Sequence, residues 1–248
     1  MSVDALKAGY VLHQRPYRST SLLVEILTAE AGRVGLVARG ARKQGARRGA
    51  PLQPFQPLLL AWRGRGELKT LTAVEDAGER RSPPAGPALF AGYYCNELVL
   101  RLCARGAADA TVFAAYQRVV DALRGEAVPR GALRVFELEL LTALGYAPAL
   151  TEEADTGRAI SDAQAYDFLP ETGPMRVTAA EPRPGAVRVS GAHLRALAER
   201  DFDDAASLAA ARRVLHAAID PLLGSRPLKS REIYRRLYGS SGAGKRRQ

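Results

Sequence analysis

The fold is decided by five short apolar runs near the start of the chain: AGYVLHQR (8–15), SLLVEILTA (21–29), GRVGLVARGA (32–41), PFQPLLLAWR (54–63) and GELKTLTAVED (66–76). Turn residues separate them, and side chains alternate along each run as they do along a β-strand. In the second run both faces carry aliphatic residues, which predicts a strand buried on both sides. Five strands of this length predict a five-stranded Greek-key barrel, the OB-fold, with an SH3-like barrel as the main alternative.

The third run leads into a strongly basic segment, RVGLVARGARKQGARR (33–48). Its first half alternates like a strand, with Val34, Leu36 and Ala38 on one face. Its second half contains glycines and has no apolar period, which predicts a mobile loop. The segment has no acidic residue and six basic ones: Arg33, Arg39, Arg42, Lys43, Arg47 and Arg48. Such a segment is either a solvated charge run or a site for phosphate groups, with which arginine forms bidentate contacts.

The charge of the whole chain favours an anionic partner. The formal net charge is +10 and the pI is about 10.0, which suits nucleic acid or an anionic membrane surface. Residues 1–80 carry 13 Lys/Arg against 7 Asp/Glu, residues 151–204 carry 6 against 11, and residues 224–248 carry 8 against 1. We expect separate surfaces for separate partners. No apolar stretch approaches the roughly 20 residues of a membrane span and no signal peptide is evident, so we expect a cytoplasmic protein.

The segment SPPAGP (82–87) separates the strands from a helical region. Three helices are predicted in residues 87–145 and are expected to form a bundle, with Asp109 as the N-cap of the second. Residues 146–189 have no sustained period and should form loops with a few short strands. Further helices are predicted after Ser190, from Asp203 to about Leu223, and in KSREIYRRLYG (229–239). The predicted domains are therefore 1–80 and 81–248, the second interrupted by the irregular insertion 146–189.

No catalytic motif emerges from the sequence. GSSGAGKR (239–246) has the spacing of a phosphate-binding loop, but Arg246 replaces the magnesium-binding Ser or Thr and no strand precedes it. The acidic clusters at 152–155 and 201–204 fit solvated loops or helix starts better than a metal site. Cys95 and Cys103 lie in an apolar helix and should be buried thiols. We therefore expect a binding protein without catalytic activity or cofactor.

Aromatic residues near the basic strands are candidates for stacking on nucleic-acid bases. They are Tyr10, Tyr17, Phe55 and Trp62, although Phe55 is better placed for the core. Trp62 precedes a basic turn that could lie beside the 39–48 loop. The predicted DNA-binding set is Arg15, Arg18, Arg33, Arg39, Arg42, Lys43, Arg47, Arg48, Trp62, Arg63 and Arg65.

A second basic surface is predicted on the C-terminal helix. Its cations are Lys229, Arg231, Arg235 and Arg236, with Arg226 just before the helix. We expect Ile233, Leu237 and Tyr234 to pack against the neighbouring helices. The basic side is then either a plain solvent face or a site for a second DNA strand or an acidic peptide.

In this order, the motifs resemble the RecO family of recombination mediators. The resemblance is carried by residues 8–43 with LQPFQPLLLAWRGRGELKTL (52–71), and later by ELELLTALGYAPAL (137–150) and LHAAIDPLLGSRPLKSREIYRRL (215–237). It implies a protein that binds single- and double-stranded DNA and anneals complementary strands. It also implies cooperation with RecR in loading RecA onto DNA coated by single-strand-binding protein, whose acidic C-terminal tail is a further contact, and a nucleoid-associated location.

The chain departs from the family pattern at one place. Many members carry a four-cysteine zinc finger that begins Cys-x-x-Cys-Gly, whereas EADTG (153–157) puts Glu153 and Thr156 at the cysteine positions and keeps Gly157. With no cysteine after Cys103, thiolate zinc coordination is excluded, and we expect this region to fold without zinc.

Three alternatives remain open from the sequence. An OB-fold factor that binds RNA in translation or on the ribosome would have the same barrel and charge. A nucleic-acid-processing enzyme would need the metal or nucleophile motifs that we do not find. A protein adaptor would use its basic surfaces for an acidic protein rather than for DNA.

Overall fold

The computed structural model describes residues 5–42, 51–78 and 82–238. Five strands form a closed barrel: β1 (Lys7–Tyr17), β2 (Ser21–Thr28), β3 (Gly32–Ala38), β4 (Leu58–Arg63) and β5 (Leu68–Asp76). Their order around the barrel is β1-β2-β3-β5-β4, and β4 pairs with β1 to close it. The β3–β5 pair is parallel and the other pairs are antiparallel. The prediction of a five-stranded OB-fold is confirmed.

Alternate side chains of the strands fill the barrel interior. Val34, Leu36 and Ala38 on β3 are all less than 5% exposed, as the alternation predicted. They pack with inward residues of the other strands: Val11, Val24, Ile26, Leu58, Leu60 and Val74. Each buried aliphatic side chain contributes about 1.5–3 kcal/mol, so this set holds the barrel closed. The intervening residues of each strand are left for its outer face.

The chain continues as helices and a second, smaller sheet. The helices are α1 (Gly86–Leu102), α2 (Ala110–Ala122), α3 (Ala132–Ala143), α4 (Gly191–Glu199), α5 (Ala205–Leu223) and α6 (Lys229–Tyr238). The contacts group residues 1–128 and 228–248 into one compact unit and residues 129–227 into another. The first unit therefore combines the barrel with α1, α2 and α6, and α3 belongs to the second. The boundary that we predict after residue 80 marks the change from strands to helices; as a division between domains it stays a prediction.

A buried polar group joins the helices of the first unit to the barrel. The Asn96 amide on α1 donates to the backbone carbonyl of Leu12 over 2.8 Å, and the Tyr116 hydroxyl on α2 donates to Asn96 over 2.6 Å. The Tyr10 ring on β1 packs 5.3 Å from the Tyr116 ring and 5.8 Å from the Phe113 ring, between centroids. Strand β1 is therefore covered by the barrel core on one side and by helices on the other.

Two predicted helix caps are confirmed. The Asp109 carboxylate accepts from the backbone N–H groups of Thr111 and Val112, and the Ser190 hydroxyl accepts from that of His193. At the next helix the cap is Asp204, one residue after the predicted start.

The second unit contains a three-stranded antiparallel sheet packed with helices. Its strands are β6 (Ala165–Leu169), β7 (Gly173–Arg176) and β8 (Val187–Ser190), in the order β7-β6-β8. Tyr166 and Phe168 on β6 are fully buried. The expected loops with a few short strands in residues 146–189 are thus found, and the strands form one sheet.

Candidate nucleic-acid interface

The backbone pairing of the barrel places five residues in one line. Arg15 on β1 pairs with Leu23 on β2, which pairs with Val37 on β3. Val37 pairs with Thr70 on β5, and Thr70 pairs with Arg63 on β4. Paired residues point to the same side of a sheet, and the β3 neighbours of Val37 point into the barrel, so this line faces outward. We call these five residues the barrel row.

The barrel row is basic at its ends and largely apolar between them. Arg15 and Arg63 are exposed, and Leu23, Val37 and Thr70 are half-buried. With about 4.8 Å between neighbouring strands, the row follows a path of roughly 19 Å around the curved surface of the closed barrel. Guanidinium groups on this outer surface can contact phosphates while bases lie over the apolar side chains between them.

Two loops meet where β1 and β3 end. The backbone N–H of Arg42 donates to the carbonyl of Thr20 over 2.9 Å, which ties the start of the basic loop to the β1–β2 turn. In that turn the guanidinium carbon of Arg18 lies 5.2 Å from the centre of the Tyr17 ring. Arg18, Arg39 and Arg42 are exposed and add cations beside the row. The other predicted contacts in this loop, Lys43, Arg47 and Arg48, lie outside the described residues.

The β4–β5 turn lies at the end of the barrel where β5 begins. It precedes β5, which runs parallel to β3, whereas the basic loop follows β3. The described start of the basic loop, residues 39–42, therefore lies at the opposite end of β3 from this turn. Residues 43–48 of the loop lie outside the described residues, so the expectation that the turn lies beside the loop stays a prediction. Arg63, still within β4, is the residue that joins the barrel row, and Arg65 is exposed in the turn itself.

Of the four aromatic residues considered for stacking, two are buried and two are half-buried. Tyr10 and Phe55 are buried, and Phe55 precedes β4 rather than lying in it. Trp62 is half-buried against the barrel core, with the Lys7 ammonium 6.0 Å from its ring centre. Tyr17 is half-buried at the end of β1. Contact of Tyr17 and Trp62 with nucleic-acid bases stays a prediction, and the half-buried Leu23 and Val37 of the row are further candidates for it.

Arg33 is engaged within the protein. Its guanidinium, on β3, donates to the backbone carbonyl of Leu100 on α1. Its Nε lies 3.5 Å from the Glu25 carboxylate. Arg105 also binds Glu25 and lies 3.7 Å from Glu67. Two guanidinium groups thus neutralise Glu25, which sits on β2 next to the barrel row. This keeps uncompensated negative charge away from the surface that would meet phosphates.

Helix α6 is fixed to α1 through its first turn. The Glu97 carboxylate on α1 accepts from the backbone N–H groups of Lys229 and Ser230, each over 2.9 Å, and from the Ser230 hydroxyl over 2.7 Å. Arg231 donates to the Tyr94 hydroxyl over 3.2 Å and covers its ring. Of the four predicted cations, Arg231 is therefore turned toward α1. Lys229, Arg235 and Arg236 are exposed.

The apolar side of α6 does not pack as predicted. Ile233, Tyr234 and Leu237 are 47%, 44% and 55% exposed. Leu228, which is buried just before the helix, and the Glu97 cap hold the start of α6 against α1. The outer surface of α6 therefore combines apolar side chains with Arg235 and Arg236.

Comparison with known proteins agrees with this architecture. Residues 1–79 match the family model "Recombination protein O N terminal", and residues 85–232 match "Recombination protein O C terminal". The chain belongs to the RecO family. DNA repair protein RecO of Nitrosococcus oceani is 43% identical, over 94% of this chain and 93% of the relative. Those of Actinobacillus succinogenes and Salmonella enteritidis are 41% and 40% identical, over 94% of this chain and 97% and 95% of the relatives.

Membership of the RecO family supports a role in DNA repair and recombination, as the resemblance implied. Among the described residues, no helix has the length and apolar character needed to cross a membrane.

Sequence reasoning missed residues that shape both candidate surfaces. Glu25 and Arg105 compensate charge beside the barrel row, and Glu97 sets the position of α6. These contacts join residues far apart in the chain, and local patterns do not report them. The half-buried Leu23 and Val37 did carry a signal, because each lies on the outward phase of a strand whose other phase is apolar.

Proposed function

We propose that the chain is a DNA-binding recombination mediator. In this proposal it binds single- and double-stranded DNA, anneals complementary strands and, with RecR, helps load RecA onto DNA coated by single-strand-binding protein. The observation that carries the DNA-binding step is the barrel row, with exposed Arg15 and Arg63 on either side of Leu23 and Val37. Binding to DNA would place the chain on the nucleoid in the cytoplasm.

The chemistry of the row suits binding that does not depend on sequence. Arginine contacts phosphate oxygens, which carry no base identity, and aliphatic side chains pack on any base. Arg18, Arg39, Arg42 and Arg65 extend the cationic surface beyond the row. A mediator that acts on DNA of any sequence needs this combination.

Annealing requires the charge of a second backbone to be neutralised as well. The outer surface of α6 supplies exposed cations at Lys229, Arg235 and Arg236. Its exposed Ile233 and Leu237 add apolar contact area. A surface of this composition fits a second DNA strand, or a peptide that is acidic and ends in hydrophobic residues, such as the tail of single-strand-binding protein. Charge reversal by Arg235→Glu with Arg236→Glu separates these roles when annealing and tail-peptide binding are measured side by side.

The test of the proposed function is binding and annealing across a salt series. Fluorescence anisotropy with single-stranded DNA, duplex DNA and single-stranded RNA of the same sequence should show tight binding to both DNA forms that weakens steeply with salt. Complementary strands should anneal faster with the protein, and magnesium should cause no strand cleavage. Clear preference for RNA would favour a translation or ribosome-associated factor, and DNA affinity that vanishes at physiological salt would favour a protein adaptor.

A further inference from the structure

A buried carboxylate lies at the centre of the turn that departs from the zinc-finger pattern. Glu153 is 2% exposed and accepts hydrogen bonds from three side chains. The Thr156 hydroxyl donates over 2.6 Å and the Tyr166 hydroxyl over 3.3 Å. The Arg176 guanidinium donates through Nε over 3.1 Å and through Nη2 over 2.9 Å. Three separate parts of the second unit therefore converge on one side chain.

The backbone around Glu153 forms a closed turn with the spacing of a metal-binding knuckle. The N–H of Gly157 donates to the Glu153 carbonyl over 2.9 Å, and the N–H of Glu153 donates to the Arg158 carbonyl over 2.8 Å. Gly157 has φ 67, a left-handed conformation that favours glycine. The N–H of Ala154 donates to the Pro174 carbonyl on β7 over 2.8 Å. Glu153 and Thr156 are three residues apart with glycine next, as the two cysteines of a Cys-x-x-Cys-Gly turn would be.

The residues at this turn do not fit zinc. A structural zinc site needs four thiolate, imidazole or carboxylate ligands, and here the turn offers one carboxylate and one hydroxyl. The position facing them is occupied by the guanidinium of Arg176, a cation that would repel a metal ion. Across the described ranges no group of three or more His, Cys, Asp or Glu residues could hold a metal.

We infer that the Arg176 guanidinium takes the structural place of a metal ion, holding the 153–157 turn to β7 through Glu153. A metal in a zinc knuckle is a cation that ties a turn to a second strand, and a guanidinium can do the same through paired N–H donors. The Glu153 carboxylate supplies the counter-charge: Arg176 and Tyr166 donate to its Oε1, and Thr156 donates to its Oε2. The pKa of Glu153 is lowered by the Thr156 hydrogen bond and by Arg176, although burial opposes this.

A second carboxylate in the same sheet is held in the same way. Asp167 on β6 is 1% exposed, and its oxygens accept from Arg188 Nε over 2.9 Å and from the backbone N–H of Arg183 over 3.2 Å. Arg188 Nη2 also donates to the carbonyl of Ala179 over 3.1 Å, in the connection between β7 and β8. Carboxylate–guanidinium pairs thus organise both irregular segments of this region.

The test combines metal removal with two substitutions in the full-length chain. Glu153→Gln removes the charge that Arg176 binds, and Arg176→Lys keeps a cation but loses the paired donors. Asp162→Asn is the matched control, because the Asp162–Arg195 pair, 2.5 Å apart, is exposed on both sides. The readouts are thermal unfolding with and without EDTA, zinc content, and hydrogen exchange of the amides in residues 153–158.

We expect the protein to hold no stoichiometric zinc and EDTA to leave the melting temperature unchanged. Both substitutions at the cluster should speed exchange of the turn amides by roughly tenfold or more, since charged hydrogen bonds are lost there, while the control does not. If Glu153→Gln unfolds the whole unit, Arg176→Lys provides the same comparison. Zinc lost together with stability, or turn amides as protected in both cluster variants as in the control, would overturn the inference.

Discussion

Removing three exposed cations from the barrel surface should reduce the salt dependence of DNA binding. Arg15→Ala, Arg39→Ala and Arg63→Ala together lower the formal net charge from +10 by three units, and the side chains involved are exposed. Each phosphate contact in single-stranded DNA contributes about 0.7 to the slope of log affinity against log salt. Three lost contacts should therefore reduce the slope by about 2 and weaken binding at 0.1 M salt about a hundredfold.

The assay is fluorescence anisotropy with a labelled single strand of mixed sequence, titrated at several salt concentrations. The matched control replaces three exposed arginines of the second unit, Arg158, Arg212 and Arg213, and removes the same charge. The control should keep nearly the whole slope, because diffuse charge steers association without releasing bound counterions. If both variants lose the same amount, or if the barrel variant keeps its slope, the reasoning that places phosphates on the barrel is refuted.

Three further predictions concern stability. Asn96→Ala leaves the Tyr116 hydroxyl and a buried backbone carbonyl of β1 without their partner, so urea unfolding should show a loss of about 2–5 kcal/mol; a loss below about 1 kcal/mol would contradict this. The Cβ of Gly32→Ala would lie 2.0 Å from the backbone oxygen of Ala107, at a residue with φ 60. The free energy of unfolding in urea should therefore fall by at least about 2 kcal/mol, and an unchanged unfolding midpoint would contradict this. Because the pKa of Glu153 is lowered by Thr156 and Arg176, its contribution to stability is complete above the ordinary carboxyl pKa and is lost as the pH falls through the lowered one. Acid unfolding of Glu153→Gln followed by circular dichroism should therefore be less steep with pH than that of the wild type, and equal steepness would count against it.

The barrel was predictable because its information is local. Each strand alternates, and Val34, Leu36 and Ala38 fall on the buried phase as the pattern requires. Caps such as Asp109 are equally local, since the side chain bonds to N–H groups two and three residues away. Trp62 follows Leu58 and Leu60 on the inward phase, so the same alternation already pointed to its partial burial.

The failures share a physical cause in long-range packing. The sequence of α6 shows an apolar side, but contacts with α1 residues more than a hundred positions earlier in the chain, Glu97 and Tyr94, orient the helix. Tyr10 lies next to a register shift between Val11 and His13, and helices cover the outer side of its strand. The alternation of side chains therefore does not predict whether Tyr10 is exposed or buried. Arg33 and Arg39 are the same residue type, yet Arg33 donates a hydrogen bond to the backbone carbonyl of Leu100 near the end of α1. That contact lies outside any local sequence pattern.

The central claim, that DNA lies across the outer face of the barrel, is tested most directly by photocrosslinking. A single strand carrying a diazirine on one base would insert into nearby C–H bonds without needing an aromatic partner, and mass spectrometry would locate the adducts. We predict adducts on Leu23, Val37 and Thr70 of the barrel row, competed away by unlabelled DNA and diminished by high salt. Adducts confined to residues 129–227, with none on β2, β3 or β5, would contradict it.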